Sequence, residues 1–94
     1  QTLSIREHTK WNYSYYPIIL DSEETLLRVQ KALNENKIFP RRYFYPSLNT
    51  VNFIKSTAMP ISESISARIM CLPLYVGLKT EDLEKITSII NQNI

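Results

Sequence analysis

The chain has 94 residues, a formal net charge of +2 and 44% hydrophobic residues. This predicts one small domain and argues against a nucleic-acid partner, because such a partner needs a strongly basic surface. One cysteine, Cys71, allows no internal disulfide, and one glycine, Gly77, cannot form a glycine-rich phosphate loop. Because no apolar run approaches the roughly 20 residues of a membrane span, we expect a cytoplasmic protein without a membrane partner.

The first third of the chain predicts a connector, a strand and a helix. Residues 1–11 are polar and without a clear period, which is typical of a connector. Residues 12–20, "NYSYYPIIL", are aromatic and β-branched and predict a strand. Residues 21–37 predict a helix, with Asp21 as N-cap and Glu24 completing a capping box. The apolar stripe that this helix should bury consists of Leu26, Val29 and Leu33.

The middle of the chain is rich in aromatic and basic residues. Residues 38–46, "IFPRRYFYP", predict an edge strand or a short strand, because each of the two prolines removes a backbone donor. Alternation along such a strand would place Arg42 and Phe44 on one face and the other three residues of "RRYFY" on the opposite face. Residues 47–59 predict mostly loop.

The last third predicts a helix, a strand and a helix. Pro60 should open the first helix, in which Ile61, Ile65 and Ile69 recur on one side. Residues 70–76, "MCLPLYV", predict a short strand interrupted by Pro73. Thr80 is the expected N-cap of the last helix. The buried stripe expected for that helix consists of Leu83, Ile86 and Ile90.

Three short strands and three amphipathic helices predict a two-layer sandwich of the α/β or α+β class, with a small sheet against the helices. The acidic pairs, Glu23–Glu24 and Glu81–Asp82, lie at predicted helix starts, where they complement the helix dipole. Cys71 lies in an apolar strand, which is typical of an inert, buried thiol. With one histidine, His8, a usual metal site cannot be completed. We therefore predict neither a catalytic residue nor a metal site.

The remaining candidate is the basic aromatic stretch. Arginine offers a planar fork of donors for phosphate or carboxylate, and tyrosine offers an apolar face with a hydroxyl tip that suits sugars and bases. The purely structural interpretation is an edge strand with solvated arginines and packed tyrosines. From the residue types alone, both interpretations stay open.

Two stretches, "IFPRRYFYPSLN" and "PISESISARIMCLPLYVGLKTEDLEKITSII", resemble the C-terminal end of the DegT/StrS family of sugar aminotransferases. That family typically ends with a proline and an acidic residue opening a helix, then "LP-hydrophobic-Y/F", a turn, and a helix with an acidic start. The matching residues here are Pro60, Glu63, Leu72, Pro73, Leu74, Tyr75, Gly77, Leu78, Glu81, Asp82 and Ile86.

The resemblance implies a domain organisation. Residues 12–94 would form the C-terminal small domain of an enzyme with the aspartate-aminotransferase fold (fold type I). Residues 1–11 would connect it to a large domain that precedes them. The family's cofactor, pyridoxal phosphate, would be held by that large domain, so we expect this fragment to bind no cofactor and to be inactive alone. The intact enzyme would be a homodimer.

The resemblance also implies a function. Family members transfer an amino group, usually from glutamate, to a keto-deoxy-sugar attached to a nucleotide, typically for polysaccharide biosynthesis. This domain would line the sugar-nucleotide side of the active site. The substrate-binding residues implied by the matching positions are Arg42, Tyr43, Tyr45 and Asn49, with Arg41 as the substitute for Arg42. Many relatives have histidine in place of Asn49.

The alternative is a free-standing small α/β binding module with a regulatory or RNA-binding role. Aromatic residues on a strand are typical of the stacking surfaces of RNA-binding sheets. The weak net charge, the prolines in the strand and the lack of an aromatic-glycine signature argue against this alternative.

Overall fold

The computed structural model describes all 94 residues as a two-stranded antiparallel sheet and three α-helices, so the predicted α+β class is confirmed. A bilayer-spanning segment is not found among the three helices, which are too short and too polar for that role. The elements, in chain order, are β1 (Tyr16–Ile19), α1 (Glu23–Glu35), a short 3-10 helix (Leu48–Thr50), α2 (Pro60–Arg68), β2 (Ile69–Leu72) and α3 (Thr80–Asn93).

The sheet pairs β1 with β2, from Tyr16 opposite Leu72 to Ile19 opposite Ile69. The predicted third strand at residues 38–46 is wrong, because only Arg41 pairs with β2, through a single bridge to Cys71. Pro40 cannot donate to the ladder, and the chain turns away two residues after the bridge. The expected alternation agrees with the opposite environments of Arg41 and Arg42, but it is wrong for Tyr45, whose ring lies against Arg42 rather than on the opposite face.

The core forms around α1. Its predicted stripe is confirmed: Leu26, Val29 and Leu33 are completely buried. They pack in one cluster with residues from both strands and from α3. The other members of this cluster are Ile18, Leu20, Met70, Ile86 and Ile89.

Helix α2 begins at Pro60 as predicted, but the predicted isoleucine stripe is not its buried face. Ile61 is 80% exposed, and Ser66 is the only buried residue of the helix. Ile65 is half-buried, and Ile69, which is also half-buried, is the first residue of β2 rather than part of the helix. Helix α2 contacts α1 but contributes no residue to the core cluster. Its isoleucines therefore lack the surrounding apolar residues that would bury them.

Helix α3 packs on α1, but its buried stripe differs by one residue from the prediction. Ile86 is buried as expected, and Ile89 is buried where Ile90 was expected. Ile90 is half-buried against the edge of the cluster, and Leu83 is exposed. The periodicity identified the correct helix, and packing against α1 decided which adjacent residue turns inward.

Both predicted N-caps differ by one residue from those observed. The N-cap of α1 is Ser22 rather than Asp21, because the Thr25 amide donates to the Ser22 Oγ at 3.1 Å. Thr80 is the first residue of α3 rather than its cap, which is Lys79 and makes no side-chain capping bond. The acidic residues in the first turns of both helices are confirmed.

Replacement of the observed cap should destabilise the chain. Ser22→Ala leaves the Thr25 amide without its partner, so we expect a loss of about 0.5–2 kcal/mol in the free energy of unfolding in urea. Asp21→Ala is the control, because it removes the cap predicted from sequence but no observed capping bond. A larger loss for Asp21→Ala than for Ser22→Ala would contradict the assignment.

Candidate functional site

The 41–49 segment leaves the sheet at Arg41. The Arg41 amide donates to the Cys71 carbonyl at 3.0 Å, and the Cys71 amide donates to the Arg41 carbonyl at 2.8 Å. These two bonds fix the backbone of Arg41, while its side chain is exposed and makes no hydrogen bond or ion pair within the chain. The guanidinium of Arg41 is therefore free to meet a ligand.

The neighbouring Arg42 points into the domain, and its side chain is only 15% exposed. Its Nη2 donates to the Glu23 carboxylate and to the Ala67 carbonyl, both at 3.0 Å. Its guanidinium carbon lies 3.8 Å from the centre of the Tyr45 ring, in cation–π contact. Two adjacent arginines thus have opposite environments.

The segment is fixed again at Ser47, which is buried. The Ser47 Oγ donates to the Asn49 Oδ1 at 2.6 Å and lies 2.9 Å from the Ser62 Oγ. Since a hydroxyl has one proton, Ser62 is then the donor to Ser47. The Asn49 Nδ2 donates to the Thr57 carbonyl at 3.2 Å. The side chain of Asn49 is therefore oriented by contacts on both of its polar atoms.

Between these two fixed points, the chain exposes three aromatic residues. Tyr43, Phe44 and Tyr45 are each about half exposed. Tyr43 and Phe44 make edge-on contacts with Tyr15, with ring centres 5.4 and 6.1 Å apart respectively. A second aromatic cluster flanks Tyr15 in the sequence and consists of Trp11, Tyr13 and Tyr16.

Two cavities have Tyr43 in common among their lining residues. The first cavity, of about 390 Å³, is lined by Tyr15, Arg41, Tyr43 and Tyr75, with the buried Cys71 among its lining residues. The second cavity has a volume of about 600 Å³. Its lining includes Tyr43, Tyr45, Ser47, Asn49, Met59 and Ser62.

The structure thus divides the five residues that the sequence singled out. Tyr43 lines both cavities, Arg41 lines the first, and Tyr45 and Asn49 line the second. Arg42 lines neither cavity, and its Nη2 donates to two acceptors inside the domain. A contact between Arg42 and substrate stays a prediction from sequence.

Three participating residues were missed by sequence analysis. Glu23 was interpreted only as a charge at a helix start, and it also binds Arg42. The basic aromatic stretch could have suggested a nearby carboxylate, but not which one. Ser47 and Ser62 carried no signal, because isolated serines are common in loops and at helix starts.

The cavities combine aromatic surface, hydroxyl and amide groups, and one free guanidinium. Such an arrangement can stack on a ring and bind an anion or sugar hydroxyls. Cys71 is poorly suited to nucleophilic chemistry, because burial raises the pKa of its thiol and keeps it protonated. No group of three or more histidine, cysteine, aspartate or glutamate side chains could hold a metal ion.

Comparisons with known proteins identify the class as aminotransferase, with a match over residues 1–91. The chain belongs to the DegT/DnrJ/EryC1/StrS aminotransferase family. It is 33% identical over 91 residues to dTDP-4-amino-4,6-dideoxy-D-glucose transaminase of Escherichia coli, covering 88% of this chain and 24% of that protein. The transaminase of the same name from Shigella dysenteriae is 32% identical over 87 residues, covering 86% of this chain and 24% of that protein.

The family assignment made from sequence is confirmed, and the free-standing binding module is not favoured. The chain spans about a quarter of the length of these relatives. The family implies pyridoxal phosphate in the parent enzyme. The residues of this chain do not fit that cofactor, because every lysine is exposed and the single glycine cannot build a phosphate cradle.

The Cys71 thiol should react slowly in the folded chain. Because it is buried and its pKa is raised, we expect alkylation by iodoacetamide at pH 8 to be about tenfold or more slower than in urea-unfolded chain. The control is Leu48→Cys, at a position that is 74% exposed, which should add one fast-reacting thiol. Equal rates in folded and unfolded chain would show that Cys71 is accessible.

Proposed function

We propose that residues 12–94 form the C-terminal small domain of a pyridoxal-phosphate-dependent aminotransferase with the aspartate-aminotransferase fold, and that residues 1–11 connect it to a large domain. The reaction is amino transfer from glutamate to a keto-deoxy-sugar attached to a nucleotide. The observation that carries this proposal is the family match over residues 1–91, together with two relatives named as dTDP-sugar transaminases. The intact enzyme acts as a homodimer.

The cofactor belongs to the large domain in this proposal, and the small domain contributes the walls that meet the substrate. The second cavity suits the sugar, because its volume of about 600 Å³ lies within the usual range for ligand pockets. Hydroxyl and amide groups of Ser47, Asn49 and Ser62 converge there, beside two tyrosine rings. These groups match the alternating hydroxyls and apolar faces of a sugar.

The first cavity suits the charged part of the same substrate. Arg41 lines it, and no group in the chain neutralises its guanidinium. A nucleotide sugar carries two phosphates between sugar and nucleoside, and arginine binds phosphate through paired donors. Tyr43 lines both cavities, so one substrate can contact both of them. We therefore assign substrate contacts to Arg41, Tyr43, Tyr45 and Asn49.

Substitution of Arg41 tests this assignment in the complete enzyme. Arg41→Ala removes a charge-assisted hydrogen bond of about 1.5–3 kcal/mol. KM for the nucleotide sugar should then rise roughly 10- to 150-fold with kcat nearly unchanged, because the contact is equal in ground and transition states. The amino-donor half-reaction should be unaffected, since the sugar is absent from it. Steady-state kinetics on both half-reactions measure these effects.

The matched control is Lys31→Ala, which removes the same charge from an exposed position in the middle of α1. It lines none of the cavities described, so KM should stay at the unsubstituted value. Arg41→Lys should recover only part of the loss, because lysine lacks the planar fork. An unchanged KM in Arg41→Ala would remove this arginine from the substrate site.

The exposed aromatic clusters should face the large domain, since interfaces between domains commonly bury about 600–1,500 Å². Without that neighbour, the 94-residue chain should self-associate with increasing concentration in sedimentation experiments. The double substitution Tyr13→Ser and Tyr15→Ser, one residue from each cluster, should weaken the association. The control is Phe53→Ser, because Phe53 is 88% exposed and outside both clusters. A strict monomer up to millimolar concentration would contradict this interface.

A further inference from the structure

We infer that Arg42 and Glu23 are positioning residues, which hold the wall formed by Tyr43 and Tyr45 in place without touching the substrate. We call the three contacts that the Arg42 guanidinium makes, with Glu23, Ala67 and Tyr45, the Arg42 latch. Its existence is a property of the fold. Its effect on substrate binding rests on the proposed function.

The first argument is that contacts within the chain hold the Arg42 guanidinium in place. Each Nη atom of arginine carries two protons, and both protons of Nη2 have acceptors, on Glu23 and on Ala67. One face of the same group lies against the Tyr45 ring. Nε is buried without a hydrogen-bond partner, so it cannot reach an external ligand, and only 15% of the whole side chain is exposed.

The second argument is electrostatic. Glu23 is the first residue of α1, and Ala67 is the penultimate residue of α2. The Ala67 carbonyl is one of the last four of its helix, which have no partner within the helix and carry partial negative charge. Arg42 therefore lies between a carboxylate and the negative end of a helix, and both favour a cation. Because the pair is partly buried, salt screens it less than an exposed ion pair.

The third argument connects the latch to the cavities. Arg41 fixes the backbone on β2, and Arg42 fixes the next side chain on α1 and α2. Tyr45 lies beneath the Arg42 guanidinium, so its ring cannot move without breaking that contact. Tyr43 and Tyr45 line the second cavity, whereas Glu23 lines neither cavity. Loss of the latch should therefore loosen the cavity wall from a distance.

The latch itself is tested by amide hydrogen exchange, measured by NMR on the chain without substrate. In Arg42→Lys and in Glu23→Gln, the hydrogen-bonded amides that flank the segment, those of Arg41 and Thr50, should exchange about tenfold faster, because the segment opens locally. The amides of Leu26 and Val29 should stay protected, which shows that the core remains folded. Tyr45→Leu should act like Arg42→Lys, whereas Tyr45→Phe retains the ring face and should exchange as the unsubstituted chain does.

The matched control is Glu24→Gln, in the same first turn of α1. It removes the same charge near the same helix end, but Glu24 has no ion pair. Exchange at the Arg41 and Thr50 amides should therefore stay unchanged in this variant. Unchanged exchange in both Arg42→Lys and Glu23→Gln, or equal acceleration in Glu24→Gln, would overturn the latch.

The positioning role is tested in the complete enzyme by the split between KM and kcat. Glu23→Gln should raise KM for the nucleotide sugar several-fold and leave the amino-donor half-reaction unchanged. The double variant Arg42→Lys with Glu23→Gln should raise KM no further than Arg42→Lys alone, because Glu23→Gln affects only one of the contacts that Arg42→Lys already disrupts. Faster exchange with unchanged KM would overturn the positioning role. An enzyme without activity on nucleotide sugars would instead overturn the proposed function. It would leave the latch itself standing, because the exchange measurement needs no substrate.

Discussion

Burial of one face of α1 is the constraint on which the rest of the structure depends. Only 12 of 94 residues are buried, and the three completely buried residues of α1 lie at the centre of their cluster. A two-stranded sheet is marginal by itself in water. Here β1 and β2 are held because Ile18 and Met70 pack on that face, as do Ile86 and Ile89 of α3. The small sheet and α3 are thus stable only as partners of α1.

The long connection between Arg41, which bridges to β2, and the start of α2 lies outside this core. It contributes no residue to the apolar cluster and is held by polar contacts at two points, Arg42 and Ser47. Polar contacts are directional, so they fix the exposed aromatic residues between them without burying them. A segment organised in this way can present rings to a ligand, which a segment packed into the core cannot do.

Sequence patterns predicted the elements that the core determines. The stripe of α1 follows from periodicity, and the start of α2 at Pro60, although outside the core cluster, follows from proline chemistry. By contrast, β2 ends at Leu72, before Pro73, and does not continue to Val76 as predicted. The segment around Arg42 could not be predicted in the same way. Its conformation depends on Glu23 and Ala67, 19 and 25 residues away along the chain. Local alternation cannot anticipate such distant acceptors. It assigned the two arginines to opposite faces only because they are adjacent in sequence.

The two single-residue bridges at the borders of the sheet have a consequence for solubility. Thr2 pairs with Ile18 on the outer side of β1, and the Ile19 amide donates to the Gln1 carbonyl at 2.9 Å. Arg41 pairs with Cys71 on the outer side of β2. Unpaired strand borders are templates on which other chains add strands and form aggregates. Here each border is capped by a short piece of the same chain, and neither capping piece continues as a strand onto which a further chain could extend the ladder.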